Sequence, residues 1–302
     1  MGSSLLTNSA AMTALQTLRN VSSSLQTTEN RISTGQRVAT ASDNAAYWSI
    51  ATSMRADNAA LSAVSDSLGL SAATVDTEYT ALTAVVGDST GGLTKLQSLL
   101  VEAKTAGIDR TKIQADITQI QQQMQGTASA ATFNGVNWLS TTTATPATFD
   151  LVSSFSRVGG TPTIGSITLT IANYSLYTSS QGGILDKVSG SASVNTIDIS
   201  TLTDSAADQT TLTGYITQVT AAINSVASAA ADLGAVKNRI ATNTDFVKTL
   251  MDSVTRGVGQ LVDADMNAES TRLQALQTQQ QLGVQALSIA NQNSQSILSL
   301  FK

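Results

Sequence analysis

The chain has 302 residues, of which 41% are hydrophobic and only 12% charged, with a formal net charge of −5 and a pI near 4.7. This length can bury one to three domains' worth of core, while the acidic balance excludes the basic footprint that nucleic acid or an anionic membrane would require. Histidine and cysteine are both absent, which removes the common nucleophilic triads, the usual zinc sites and any disulfide framework; no enzyme, cofactor or metal is expected.

The charged share is about half the usual one, and Ser, Thr, Ala, Gln and Asn fill the gap. A polar but neutral surface tolerates close packing between like molecules. The N-terminus lacks a basic region followed by an apolar core, so export, if it occurs, is expected to use a route other than the general secretory one. Residues 1–28 carry a single charge, Arg19. A seven-residue row through Ala11, Leu18, Leu25, Ile32 and Ala39, with a companion row at Ala14, Val21 and Thr28, predicts a helix with a coiled-coil-like stripe.

Further helices are expected at about 45–86, 93–106, 110–125 and 209–240. The run Gly87 to Gly92, GDSTGG, is ordinary turn chemistry and should interrupt the first two of them. Both prolines, Pro146 and Pro162, lie between Thr141 and Asp208, where Thr, Ser and Gly increase. Alternation at Ile167, Leu169 and Ile171, and at Ile197 and Ile199, predicts a small β-rich insert there. No apolar run is expected to approach the roughly 18 residues that span a bilayer.

In the C-terminal part a second row, Val247, Val254, Leu261, Ala268, Ala275, Leu282 and Ile289, keeps the seven-residue spacing, so helices from the two chain ends can pair. Gly257-Val258-Gly259 reads as close helix packing. Asp263 and Asp265, if helical, point about 200° apart and cannot share a ligand. From Leu273 to Phe301 there are 29 residues without a charge. On a helix, Leu273, Leu276, Val284, Leu287 and Leu298 share one face, and Leu282, Ile289 and Leu300, with Ala275 and Ala286, the opposite one. Ile297 and Phe301 add to this apolar end. Such a helix needs neighbours on two sides, and is expected to stay largely disordered until assembly. The fold class is mainly α, with long paired terminal helices, a helical bundle and a β-rich central insert.

Arg31-Ile32-Ser33-Thr34-Gly35-Gln36-Arg37-Val38, Ser42-Asp43-Asn44-Ala45-Ala46 and Ile50-Ala51 resemble the N-terminal signature of bacterial flagellins. Phe133-Asn134-Gly135-Val136 with Leu139-Ser140, LGAVKNRI at 233–240, DADM at 263–266, Glu269-Ser270 and QQQLGVQALSIANQNSQSILSLF to Phe301 extend the resemblance. It implies a filament subunit for swimming motility. Its layers would be an inner coiled-coil D0 formed by 1–40 and 263–302, a helical D1 formed by 41–140 and 209–262, and a variable outer D2 at 141–208. Self-assembly would rest on Leu18, Leu25, Ile32, Leu273, Leu276, Leu282, Leu287, Ile289, Ile297, Leu298, Leu300 and Phe301. Tyr47 and Trp48, within SDNAAYWSIA, look like the alphaproteobacterial branch and would pack within D1 or between subunits.

The same resemblance implies type III export, an export chaperone for the C-terminal helix, hook-associated and cap proteins as partners, and an extracellular location. It also implies innate immune receptors as potential readers of the subunit. Lys95 and Leu99 resemble contacts of the animal receptor epitope, but Gln122 or Gln123 replaces an acidic residue. In the stretch read by plant receptors, Ser42, Asn44 and Tyr47 depart from the usual residues, which implies weak recognition. The alternatives are a hook–filament junction protein of the same superfamily, or an adhesin or glycan-binding module using the insert.

Overall fold

The computed structural model describes residues 8–142, 147–158, 161–189 and 192–299. In chain order the elements are α1 (Ser9–Thr34), α2 (Ala45–Val86), α3 (Gly92–Glu102), α4 (Arg110–Ala130), β1 (Ser140–Thr141), β2 (Thr148–Val158), β3 (Thr161–Thr170), β4 (Tyr177–Thr178), α5 (Ala206–Val262) and α6 (Met266–Ser299). The chain divides into two compact units, residues 1–59 with 251–302, and residues 60–250. Helices α2 and α5 each contribute to both.

The first unit pairs the two chain ends. The Asn8 side chain caps α1 by accepting from the Ala11 N–H at 3.0 Å, satisfying one of the donors a helix start leaves open. Gly35, at φ 69°, ends the helix in the left-handed conformation that glycine adopts at least cost. Ala39 therefore lies beyond α1, and the N-terminal row stops at Ile32.

Where α1 ends, its outgoing strand meets the gap between α5 and α6. Gln36 and Asp263 form an antiparallel bridge. Arg37 and Val38 donate their N–H groups to Val262 O at 2.6 and 3.2 Å, and Ala264 donates to Gly35 O at 2.9 Å. These bonds use backbone groups that three helix termini would otherwise leave open. Beneath them, Val38, Ala51, Val258 and Val262 form a small core with Met54, Val254 and Leu261 packed on it. A Cβ on Gly257 would sit 3.0 Å from Met54 Cε, so the glycine there permits a close approach between α2 and α5.

The second unit is a helical body. Leu61, Val64, Leu68, Val75, Leu82 and Val85 of α2, Leu93, Leu96, Leu99 and Leu100 of α3, and Ile113, Ile117, Ile120 and Met124 of α4 are buried, at the three- and four-residue spacing of one helical face. Helix α5 adds Leu212, Tyr215, Val219, Ala222, Val226, Ala229 and Leu233. By length and composition α5 is long and apolar enough to cross a membrane, contrary to the expectation that no run comes near. That character comes from alanines and from the buried stripe just named.

The turn at Gly87 to Gly92 is as expected. Gly92 has φ 70°, and a Cβ there would lie 2.5 Å from Val85 O, so no other residue fits the return. Arg110 is buried and donates to Ala103 O at 2.9 Å, Leu202 O at 3.2 Å and the Asp204 carboxylate at 2.6 Å. Its fork ties the start of α4 to the end of the insert.

The insert holds less sheet than alternation suggested. β2 and β3 form an antiparallel hairpin running from Thr148↔Thr170 to Val158↔Thr161, with a bulge between Val152 and Ser154, and β1 pairs with β4 in parallel over two residues each. Ile197 and Ile199 belong to no strand. They follow a short 3-10 turn at Val194–Thr196 and are buried, because α4 holds this segment by its backbone. The Gln121 amide donates to Val194 O and Ile197 O, while the Gln114 side chain donates to Ile197 O and accepts from the Ile199 N–H. Gln114 and Gln121, seven apart, lie on one face of α4. Residues 141–208 fall in the same compact unit as α3 and α4. Its Phe149 and Tyr174 rings pack on the fully buried Trp138, with centroids 5.4 and 6.4 Å away.

Candidate self-assembly surface

The surface is built from α1 and α6. In α1, Ala11, Ala14, Leu18, Val21, Leu25 and Ile32 are half-buried and Thr28 is buried, the two rows read from the sequence. The matching side of α6 runs through Glu269, Leu273, Leu276, Gln280, Gly283, Leu287 and Ala290, all buried or half-buried. Steps alternating four and three residues keep these positions on one seam of a coiled coil. The helices approach closely at Gly283, where a Cβ would stand 3.2 Å from Leu18 Cδ1. Polar ties hold both ends: the Asn8 amide donates to Ala290 O at 2.9 Å, and Arg31 pairs with Glu269 at 3.0 Å.

The seven-residue row read from the C-terminal sequence is therefore not one seam. Val247 is buried and Val254 and Leu261 are half-buried in α5, but Ala268, Ala275, Leu282 and Ile289 are exposed in α6. The non-helical residues 263–265 reset the phase, so the same spacing faces inward before the break and outward after it. Asp263 and Asp265 sit in that break instead of on a helix. Asp263 accounts for the bridge to Gln36, and Asp265 caps α6 by accepting from the Asn267 and Ala268 N–H groups at 2.9 and 3.3 Å.

Opposite the seam, Leu282 and Ile289 are 58% and 61% exposed, and on its flank Met266 and Val284 are 43% and 54% exposed. Val284 is thus at the exposed edge of the face it was expected to share with Leu276. On α1, Met12 and Leu15 are exposed as well. Each such side chain, fully buried, contributes roughly 1.5–3 kcal/mol, so one pair of helices leaves a substantial apolar stripe in water, bordered by the exposed neutral residues Gln277, Gln279, Gln281 and Gln285. Ile297 and Leu298 lie within the backbone span of α6, and Leu300 and Phe301 lie outside the described residues.

Tyr47, Trp48 and Ile50, at the start of α2, are 41%, 38% and 50% exposed. The motif before them is a capping device. Asp43 Oδ2 accepts from the N–H groups of Ala39 and Thr40 and from the Thr40 hydroxyl, and these bonds hold its carboxyl below the usual range. Asn44 caps α2 by accepting from the Tyr47 N–H. Among the epitope-like residues, Leu99 is buried, Lys95 is half-buried and Gln122 is exposed, so Leu99 cannot be touched while the second unit is folded.

Sequence reasoning missed Gln280, Gly283 and Ala290 in the seam. The four-three spacing continued from Leu273 and Leu276 to Leu287 would have found them. It also missed the Arg31–Glu269 pair, although both residues lie in the quoted motifs. Among the described residues no group of three or more acidic side chains is placed to hold a metal.

Paired terminal helices with a second apolar face left in water define a self-associating structural subunit. Residues 5–144 match the bacterial flagellin N-terminal helical region, and residues 216–301 the bacterial flagellin C-terminal helical region. The chain is 43% identical to Flagellin C of Rhizobium meliloti (strain 1021), over 99% of each. It is 44% identical to a flagellin of Brucella melitensis biotype 1, again over 99% of each, and 39% identical to Flagellin A of Rhizobium meliloti, over 99% of this chain and all of the relative. The chain belongs to the bacterial flagellins, of the alphaproteobacterial type. It is a structural subunit of the flagellar filament, an extracellular helical polymer that serves motility.

Proposed function

We propose that the subunit adds to the filament by burying the exposed side of α6, centred on Leu282 and Ile289, against neighbouring copies while Leu273, Leu276 and Leu287 pack on Leu18, Leu25 and Ile32 of its own α1. Burial of Ile297, Leu298, Leu300 and Phe301 on addition belongs to the same proposal. The observation that carries this reading is the apolar row on α6 that α1 leaves uncovered. An inner D0 layer of 1–40 with 263–302, a D1 layer of 41–140 with 209–262, and an outer D2 insert at 141–208 are part of this proposal. Tyr47 and Trp48, exposed in the single subunit, pack between subunits. Ordering of the chain ends is coupled to addition, so the apolar burial opposes dissociation.

Short filament fragments seeded into full-length protein should elongate, and a variant truncated after Arg272 should not. Equal growth of both, or no growth of either, overturns the reading. Lack of growth by the full-length chain would leave the hook–filament junction role, since that protein assembles in few copies. Export through the flagellar type III route without a cleaved leader, a chaperone on α6 before assembly, and hook-associated and cap proteins at the filament ends belong to the same proposal. With Gln122 neutral, purified monomer should activate an animal flagellin-receptor reporter cell weakly; a full response refutes this.

A further inference from the structure

The structure assigns Asn134-Gly135 as a site of spontaneous backbone-assisted deamidation, gated by the turn that contains it. This is the only Asn-Gly pair in the chain. It forms the two-residue loop of a tight hairpin: the Phe133 N–H donates to Val136 O and the Val136 N–H to Phe133 O, both at 2.9 Å. Asn134 and Gly135 have φ 49° and 78°, the left-handed pair such a turn needs. Both are exposed. Among the described residues nothing hydrogen-bonds the Asn134 carboxamide or the Gly135 N–H, whereas Asn137 donates to Ala128 O and Asn44 is held as a helix cap.

In the reaction the Gly135 nitrogen, losing its proton, attacks Cγ of Asn134. The Cγ–Nδ2 bond breaks and ammonia leaves, closing a five-membered succinimide. Water then opens either carbonyl, giving Asp at 134 or an isoaspartyl link that carries the backbone through the side-chain methylene. Glycine favours the attack because it presents no Cβ to the closing ring. The folded hairpin opposes it, because its two hydrogen bonds fix the backbone of the turn, and closing the ring requires that backbone to rotate. The reaction thus proceeds from the unfolded chain or the opened turn. The isoaspartyl product, one backbone atom longer, cannot restore a two-residue loop. The loop sits four residues before the buried Trp138, whose ring packs on Phe149 and Tyr174 and whose backbone N–H is held by Glu78 of α2, so the lesion falls where the fold has little slack.

The test incubates full-length protein at mildly alkaline pH, in native buffer and in denaturant, and follows conversion by mass spectrometry with electron-transfer fragmentation to separate Asp from isoaspartate. In denaturant, Asn134 should convert at least about tenfold faster than Asn224, which precedes Ser225, and Gly135→Ala should remove most of that excess. Native buffer should slow conversion at Asn134 by about tenfold or more. Comparable rates at Asn134 and Asn224 in denaturant, or no effect of Gly135→Ala there, refute the site. Equal rates in buffer and denaturant refute the gating. The comparison in denaturant does not require that the variant fold.

Discussion

Leu282→Asp combined with Ile289→Asp should abolish seeded elongation while leaving the circular dichroism of the monomer as in the parent chain. Both side chains are more than half exposed and lie on the side of α6 turned away from α1, so the substitutions remove no contact within the subunit. In the filament the two residues would each lose roughly 2 kcal/mol of apolar burial, and each new carboxylate would have to be desolvated against an apolar neighbour. A loss of at least about 4 kcal/mol per added subunit raises the monomer concentration needed for growth by roughly a thousandfold or more. The control pair Ser200→Asp and Thr201→Asp adds the same charge at exposed polar positions outside α6 and should reduce growth far less. Elongation by the Leu282/Ile289 variant at the parent's concentration would remove this face from the assembly surface.

This expectation also shows where sequence patterns stop being informative. The existence of the long helices was legible because both prolines fall in the insert and the apolar positions recur at helical spacing. The α1 seam was legible down to Thr28, a polar residue that the row placed on the buried side and that is 1% exposed. The α6 seam was legible only in part: Leu273, Leu276 and Leu287 fell on one face, as found, but the row carried across from Val247 runs on to the exposed side. Periodicity carries no information about a three-residue interruption, and residues 263–265 contain neither proline nor glycine to mark one. What ends α5 there is tertiary: the backbone of Arg37 and Val38 bonding to Val262 O. Ile197 and Ile199 fail for a related reason, since alternate burial was produced by two glutamines of α4 gripping a loop.

Glu78 is the buried carboxyl that the sequence disguised. It stands on the stripe Val75, Glu78, Leu82 and Val85 of α2, at a position where an apolar residue would ordinarily sit, and it has no exposed surface. One oxygen accepts from the Trp138 backbone N–H at 2.9 Å, while the other oxygen and the Trp138 indole nitrogen have no hydrogen-bond partner. Burial raises its pKa from 4.5 to about 7, with the single backbone bond acting in the opposite direction.

The protonated form is therefore the one the fold prefers, and the sign of the pH dependence follows. Below pH 4.5 the folded and unfolded chains both carry the proton and the site imposes no ionisation cost. As pH rises from there the unfolded chain ionises first, and stability falls until the folded group also ionises near pH 7. The loss across this window is roughly 3 kcal/mol, from 2.5 pKa units at about 1.4 kcal/mol each. Urea unfolding of the full chain at pH 4 and pH 8, followed by emission of the buried Trp138 in a Trp48→Phe background, should show this decline. Glu78→Gln keeps an acceptor for the Trp138 N–H and cannot ionise, so it should match the parent at pH 4, exceed it by roughly 3 kcal/mol at pH 8, and lose this part of the pH dependence. Parallel stability profiles for the two proteins between pH 4 and 8 would show that Glu78 ionises as freely folded as unfolded. In that case its buried oxygen must have found a partner, and the indole nitrogen of Trp138, equally unpaired and on the same neighbouring residue, would be the first group to examine.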